Sequence, residues 1–253
     1  MLNEQTLEKL YDMRLNGMAD AFKEQVARPD INDLSFEERF AFLVDQHWTW
    51  KDNRRLKTLL KNARLKSNAC IEDIDYKSPR GINKSLMLSL SGCDWIKNAH
   101  NIIITGPTGV GKTYLACALA NCACRKGHAS LYKRAPRLFQ EVAIARADGT
   151  YPKLMNKLAK AKVLIIDDLC ITPMNEAERK DLLEVIEDRQ DLTSTIISTQ
   201  IPAKSWFEII GDPTIADAVL DRLIHNAHKI DLKGESMRKI RSSLTNKNKS
   251  EKK

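Results

Sequence analysis

The most informative segment of the chain is Gly106-Pro107-Thr108-Gly109-Val110-Gly111-Lys112-Thr113, which has the spacing G-x-x-x-x-G-K-T. It directly follows the apolar run Ile102-Ile103-Ile104 and leads into Tyr114–Ala120, a strong helix former. Glycines let backbone N–H groups come close to a phosphate, and the N-terminus of the following helix adds the positive end of its dipole. The sequence therefore predicts a strand, a phosphate-binding loop and a helix in this order.

The side chains of this loop predict ATP and Mg²⁺ as cofactors. We expect Lys112 to reach the β and γ phosphates and the Thr113 hydroxyl to ligate Mg²⁺. The predicted nucleotide-binding set is Gly106, Pro107, Thr108, Gly109, Val110, Gly111, Lys112, Thr113 and Tyr114.

A second Mg²⁺-directed acid is expected at the end of a neighbouring buried strand. The apolar run Val163–Ile166 ends in Asp167-Asp168. We expect Asp167 to hold the Mg²⁺ shell and Asp168 to orient or deprotonate the attacking water. An ordinary solvated turn is the alternative for two acids after a strand, but the nearby phosphate-binding loop favours catalysis.

Short apolar runs alternate with helical patterns from residue 67 onward, which predicts a parallel sheet flanked by helices. The five predicted strands are Asn101 to Thr105, Ser130 to Lys133, Val163 to Asp167, Thr195 to Thr199 and Lys229 to Leu232.

The N-terminal part is predicted to be entirely helical. Apolar positions from Leu7 to Val26 have helical spacing, and Asn16-Gly17 could divide this segment into two helices. A second helix is predicted to start after Ser35, with Glu38 completing a capping box, and to continue to about Leu65. The predicted domains are residues 1–66 (helical, binding DNA or a partner), 67–244 (ATPase) and a disordered lysine-rich tail, 245–253.

The chain has 41 Lys and Arg against 33 Asp and Glu, a net charge of +8, so a polyanionic partner is plausible. Its densest basic stretch is Lys51, Arg54, Arg55, Lys57, Lys61, Arg64 and Lys66, with only Asp52 opposing them. A solvated helix face usually interleaves both signs, so this basic stretch favours DNA or an acidic partner surface. The strongest DNA candidates are Arg54, Arg55, Lys57 and Lys61.

The six cysteines lack paired C-x-x-C spacing, which predicts reduced thiols rather than a metal site. The N-terminus has no signal-peptide pattern, and no apolar run approaches the roughly 20 residues that span a bilayer. We therefore expect a cytoplasmic protein without a membrane partner.

With these features the chain resembles the AAA+ ATPases, and within them the IstB-type transposition helper proteins, which are related to DnaC-type helicase loaders. The resemblance extends from the first helices to about Arg241, and its specific segments are the phosphate-binding loop, Ala145–Gly149, Ala216–Leu223, His225–His228 and Gly234–Arg238. It implies an α/β fold: an AAA+ P-loop NTPase domain with a five-stranded parallel sheet flanked by helices, preceded by a small all-helical domain.

The resemblance also implies roles for two arginines. Arg222 is implied as an arginine finger offered to the nucleotide of a neighbouring subunit, and Arg238 as a sensor reaching the γ-phosphate in its own subunit. From the residues alone, Arg222 would be a surface ion-pair partner of Asp221.

A polar sensor is implied at the end of the fourth strand, where Thr199 and Gln200 are candidates and Ser198 is a third. Residues 134–153 resemble the extra helix by which initiator-type AAA+ proteins approach DNA. Its candidate phosphate contacts are Arg134, Arg137, Arg146 and Lys153, and solvated charges are the alternative.

Two positions depart from the family pattern. Cys170 stands where family members usually carry Gly, and Asp168 stands where many AAA+ proteins carry Glu. The shorter side chain of Asp168 implies slow ATP hydrolysis, stimulated by DNA.

The function implied by the resemblance is an ATPase that self-assembles on duplex DNA, largely independently of sequence, with ATP sites between subunits of a homo-oligomer. Its implied partner is a transposase, which it recruits or activates in insertion-sequence transposition. A helicase loader is the nearest alternative. A small-molecule P-loop kinase is a remote one, and it would need no Arg222 from a neighbour.

Overall fold

The computed structural model describes residues 2–28, 31, 33–202 and 205–241. They fall into two compact units that divide between Thr58 and Leu59, earlier in the chain than the boundary expected after residue 66. The stretch 245–253, expected to be a disordered tail, lies outside the described residues.

The first unit contains α1 (Leu2–Asp12), α2 (Asn16–Ala27) and most of α3 (Phe36–Ala63), which continues into the second unit. The predicted capping box of α3 is present. The Ser35 N–H donates to Glu38 Oε2 at 2.8 Å, and the Glu38 N–H donates to Ser35 Oγ at 3.2 Å. Gly17 lets α2 pack closely on α3, because a Cβ at this position would lie 2.6 Å from Trp50 Cβ.

The second unit alternates helices and strands. In chain order its elements are α4 (Lys84–Ser91), α5 (Asp94–Lys97), β1 (Asn101–Thr105), α6 (Lys112–Arg125), β2 (Ser130–Arg134), α7 (Ala135–Ala147), α8 (Tyr151–Lys160), β3 (Val163–Asp167), α9 (Glu176–Glu187), β4 (Ser194–Thr199), α10 (Trp206–Ile210), α11 (Pro213–Ile224), β5 (Ala227–Asp231) and α12 (Met237–Arg241).

The five strands form one parallel sheet, as predicted, and their order in it is β2-β3-β4-β1-β5. β1 to β4 agree with the predicted strands to within one residue. The prediction for β5 was shifted: it begins at Ala227 rather than Lys229, and its mostly unburied edge position leaves a weak hydrophobic pattern.

Side chains alternate between the two faces of the sheet and contribute to two separate cores. Ile103 of β1 belongs to the core with α7, α8, α9 and α11, whereas Ile102 and Ile104 belong to the core with α4 and α6. Helices therefore cover both faces, and the carboxyl ends of the strands form one edge. No helix among the described residues is long and apolar enough to cross a membrane.

Candidate nucleotide-binding site

The loop between β1 and α6 has a backbone that only glycines adopt easily. Gly106, Gly109 and Gly111 have φ values of 144°, 82° and 111°. A Cβ at Gly106 would lie 2.5 Å from the Leu232 carbonyl oxygen, and one at Gly111 would lie 2.9 Å from Arg80 Nη1. The glycines therefore allow both the conformation of the loop and the close approach of the chain after β5.

Lys112 begins α6 and points its ammonium into the loop. The side chain is buried, and Nζ donates to the carbonyl oxygens of Gly106 at 2.8 Å and Pro107 at 2.9 Å. Burial lowers the pKa of Lys112, and the negative charges of Asp168 and Asp167 act in the opposite direction. A desolvated ammonium inside a ring of backbone groups is suited to bind phosphate oxygens.

Asp167 lies at the end of β3 and is completely buried. The Thr113 hydroxyl lies 3.0 Å from both of its carboxylate oxygens, Tyr132 of β2 donates to Oδ2 at 2.6 Å, and Ser198 of β4 donates to Oδ1. Burial and this hydrogen bond raise the pKa of Tyr132 far above its ordinary value. Sequence reasoning missed Tyr132, because only the pairing of β2 beside β3 brings it to Asp167.

The oxygen atoms of Thr113 and Asp167 fit Mg²⁺, which prefers hard oxygen ligands. Mg²⁺ in nucleotide sites is usually held by one or two carboxylates together with substrate phosphates. The described residues contain no cluster of three or more His, Cys, Asp or Glu side chains that could hold a metal by themselves. The donor set is therefore that of a metal site that a bound nucleotide would complete.

Asp168 follows β3 with a positive φ of 60° and turns its side chain toward Arg134 at the end of β2. Arg134 Nε donates to Asp168 Oδ2 at 2.7 Å, and this contact raises the pKa of Arg134. Arg134 was expected to contact DNA. The structure places it in the cleft instead, because the register of the parallel strands aligns it with Asp167.

The three candidate sensor residues lie in different environments. Thr199 is fully buried, and its hydroxyl donates to the Leu169 carbonyl at 2.6 Å and accepts from the Ile201 N–H at 3.2 Å. The Thr199 hydroxyl thus bonds to the turns after β3 and β4, and its role as a sensor stays a prediction. Gln200 faces the loop and accepts a 2.6 Å hydrogen bond from Thr108.

A cleft of about 740 Å³ is lined by residues that include Thr108, Lys112, Thr113, Arg134, Asp168 and Gln200. The cations that line it are Lys66, Arg80, Lys112, Arg134 and Arg238, and the carboxylates are Asp73, Asp75 and Asp168. The volume is that of a small-molecule site, and the excess of cations suits a polyphosphate. Arg238 of α12 lines this cleft within its own chain, and its role as a γ-phosphate sensor stays a prediction.

Arg222 does not line the cleft. It lies on α11, where Nη2 pairs with Glu187 at 2.9 Å and Nη1 donates to the Ala218 carbonyl at 2.9 Å. The alternative pairing with Asp221 was wrong, because Asp221 pairs with His225 at 3.1 Å.

Among the remaining DNA candidates, one arginine is held by contacts within the fold, and the others are exposed side chains. Arg146 pairs with Asp181 at 2.6 Å and lies over the Tyr151 ring, so its guanidinium is committed to the fold. Arg137 and Lys153 are exposed, and neither has an ion-pair partner within the part of the chain that is described. In α3, Arg54 lies over the Trp50 ring, 5.1 Å from its centroid, while Arg55, Lys57 and Lys61 are exposed.

The backbone at Cys170 has a conformation that favours glycine. Its φ of 57° lies in the left-handed region, which penalises any residue with a Cβ. The thiol is buried in the core, and burial raises its pKa to about 12, so it stays protonated at neutral pH.

At position 170, a glycine variant should therefore be more stable than an alanine variant. We expect Cys170→Gly to be more stable than Cys170→Ala by about 1 kcal/mol in urea denaturation, because Gly avoids the left-handed penalty. The matched control is Cys117, a buried residue inside α6. There the order should reverse, with Gly less stable than Ala by about 1 kcal/mol. The same order at both positions would contradict the role of φ.

The phosphate-binding loop, the parallel sheet and the acid after β3 define a P-loop nucleotide-binding protein with the AAA+ fold. A family model described as IstB-like ATP binding protein matches residues 8–245, and the chain therefore belongs to this family.

Proteins similar to this chain have names that refer to insertion sequences. The putative insertion sequence ATP-binding protein y4pL of Sinorhizobium fredii is 48% identical over 239 residues, covering 94% of this chain and 98% of the relative. The insertion sequence IS21 putative ATP-binding protein of Pseudomonas aeruginosa is 31% identical and covers 93% and 88%, respectively.

Solved structures share the fold at lower identity. The DnaC helicase loader matches with a TM-score of 0.54 and 19% identity, covering 66% of this chain and 97% of that one. DnaI matches with a TM-score of 0.57 and 19% identity, covering 68% and 91%.

Proposed function

We propose that this protein is an ATPase that assembles on duplex DNA, with ATP bound between subunits, and that it serves the transposase of an insertion sequence. The main support for this proposal is that the candidate catalytic groups do not all lie in one cleft. Lys112, Thr113 and Asp168 line one cleft, and the buried Asp167 lies directly behind Thr113, whereas Arg222 lies outside the cleft on α11.

The cleft supplies the groups that hydrolysis needs. Lys112 binds phosphate oxygens, and Thr113 and Asp167 hold Mg²⁺, which when bound neutralises charge that develops on the β and γ phosphates. Asp168 orients the water and accepts its proton. Slow turnover follows from the short reach of Asp168 and from its ion pair with Arg134.

Arg222 is proposed to serve the ATP of a neighbouring subunit. Its Nε is buried without a hydrogen-bond partner in the described residues, while the side chain as a whole keeps some exposure and pairs with Glu187. A head-to-tail interface could use this guanidinium to stabilise transition-state charge. ATP bound at such an interface stabilises the assembly, and hydrolysis releases it.

The transposase partner is proposed from the relatives, because their names place them in insertion sequences. The helicase-loader alternative is supported only by the fold, since identity to the DnaC loader is 19%. The two functions differ in genomic context: a transposition helper should be encoded beside a transposase. A kinase would phosphorylate an acceptor without self-assembly.

Electron microscopy tests the proposed assembly directly. The protein is imaged with duplex DNA alone, with a non-hydrolysable ATP analogue alone, and with both. Rings or filaments that require both ligands are the expected result. Monomers under all three conditions would contradict assembly on DNA.

DNA binding is proposed to rest on the basic stretch of α3 and its contacts to phosphates. Replacing Arg54, Arg55 and Lys61 with Gln should weaken binding similarly for unrelated duplexes and reduce the slope of log K against log salt by about 2–3, because each lost phosphate contact contributes about 0.9. Fluorescence anisotropy across a salt series measures this slope.

The control for this experiment removes the same charge elsewhere. Lys9, Lys97 and Lys180 are exposed lysines on three other helices, and their combined change to Gln should leave the slope nearly unaltered. Equal slopes for the two triple variants would contradict a DNA-binding role for the basic stretch of α3.

A further inference from the structure

Lys66 lies in the nucleotide cleft rather than with the basic stretch of α3. It follows the end of α3 at Ala63, after Arg64 has reversed the backbone with a φ of 50°. Its Nζ lies 3.9 Å from Asp167 Oδ2, and its side chain is 46% exposed whereas that of Asp167 is 0% exposed. The segment after the helix thus brings a solvent-accessible ammonium to the buried metal-binding carboxylate.

The surroundings of Asp167 give this ammonium a specific role. The other contacts of the carboxylate are the hydroxyls of Thr113, Tyr132 and Ser198, which carry no charge. Among the described residues, no other Lys or Arg forms an ion pair with Asp167. A buried carboxylate needs a compensating charge, and besides the more distant Lys112 it is Lys66, within ion-pair distance, that provides it.

Two residues beside Lys66 carry a buried polar atom without a partner. Ser67 Oγ and Arg80 Nε have no hydrogen-bond partner within the described residues. Both residues line the cleft together with Lys66. The wall around Lys66 is therefore polar.

Mg²⁺ and Lys66 need the same carboxylate. Thr113 and Asp167 are the oxygen ligands available to the metal, and a divalent cation at Asp167 would repel the ammonium. An exposed, flexible lysine can swing away at little cost, whereas Lys112 is buried and held by two carbonyls. The two cations therefore exclude each other at Asp167.

We propose that the Lys66 ammonium occupies the Mg²⁺ position when no metal is bound. There it neutralises Asp167 and binds the phosphates of metal-free ATP. When Mg²⁺ binds, the ammonium moves away from Asp167. This inference rests on the proposed function in assuming that ATP occupies the cleft. It makes metal-free ATP binding dependent on Lys66 and Mg²⁺-ATP binding nearly independent of it.

Equilibrium titration with a fluorescent ATP analogue tests the inference without measuring hydrolysis. In EDTA, Lys66→Gln should weaken binding about fivefold to tenfold, the size expected for one partly exposed charge-assisted contact. In excess Mg²⁺ the same change should weaken binding by less than about twofold, because the metal supplies the missing charge. The ratio of the two dissociation constants is therefore the diagnostic quantity.

Two matched variants separate charge from structure. Lys66→Arg keeps a cation in the cleft and should retain most of the metal-free binding. Lys180→Gln removes the same charge from an exposed position on α9 and should leave both dissociation constants unchanged. Circular dichroism and thermal melting confirm that each variant is folded.

Equal losses for Lys66→Gln with and without Mg²⁺, or no loss in EDTA, would overturn the role of Lys66. Failure of the proposed function looks different: the unaltered protein would then bind the ATP analogue under neither condition. Binding by the unaltered protein together with an unchanged ratio in Lys66→Gln contradicts only the inference about Lys66.

Discussion

Lys112→Ala is expected to weaken ATP binding by more than about 100-fold, because charge-assisted contacts to phosphate in a desolvated site are among the strongest in proteins. The ammonium of Lys112 is buried, so solvent cannot replace it when it is removed. The triphosphate would then face Asp167 and Asp168 with one central cation missing. Isothermal titration calorimetry with Mg²⁺-ATP measures the loss.

The control for this variant lies at the other end of the same helix. Lys126 directly follows α6 and donates to the Gly92 carbonyl at 2.8 Å, so Lys126→Ala removes a lysine from the opposite end of the helix, away from the loop. It should bind ATP normally. Unaltered affinity in a folded Lys112→Ala protein would show that the Gly106–Thr113 loop does not hold the nucleotide.

A mixture of Arg222→Ala and Asp168→Asn proteins should regain ATPase activity that each lacks alone. If the site is shared, one subunit supplies Lys112, Asp167 and Asp168, and the next supplies Arg222. An Arg222→Ala subunit keeps an intact cleft, and an Asp168→Asn subunit keeps an intact finger. Random head-to-tail mixing in equal parts makes roughly one interface in four complete.

The experiment measures phosphate release on duplex DNA for the separate and mixed proteins, with labelled subunits to establish exchange. A second mixture, Lys112→Ala with Asp168→Asn, is the matched control. Both changes lie in the same cleft, so every interface keeps a defect and no activity should return. If subunits exchange but the first mixture stays as inactive as the second, Arg222 does not act across an interface. Full activity of Arg222→Ala alone would exclude it as the finger.

The nucleotide cleft was predictable where its residues are contiguous in sequence. The loop carries its glycines, lysine and threonine within eight consecutive positions, Gly106–Thr113, and Asp167 and Asp168 stand directly after an apolar run. Such groups can be predicted from local sequence spacing, because the strand before them and the helix after them each have a recognisable periodic pattern of apolar residues. The parallel sheet and the helices that flank it followed from the alternation of strands and helices along the chain.

Residues that reach the cleft from elsewhere in the sequence were not predictable in this way. In the sequence, Tyr132 looks like an ordinary strand residue. Lys66 and Arg134 look like parts of basic stretches. Thr199 stands at the expected strand end, yet its hydroxyl turns to the Leu169 carbonyl. Side-chain direction at a strand end depends on the following turn, which one-dimensional spacing does not report.

The sequence by itself determined the class of fold, the phosphate-binding loop, the acidic pair and the capped helix α3, because each depends on neighbours within about one turn or strand length. Only the tertiary structure decided which charges meet. The parallel register sets Arg134 beside Asp168, and the reversal after α3 brings Lys66 to Asp167. These contacts join residues 34 to 101 positions apart, so they depend on strand order and loop paths rather than on local pattern.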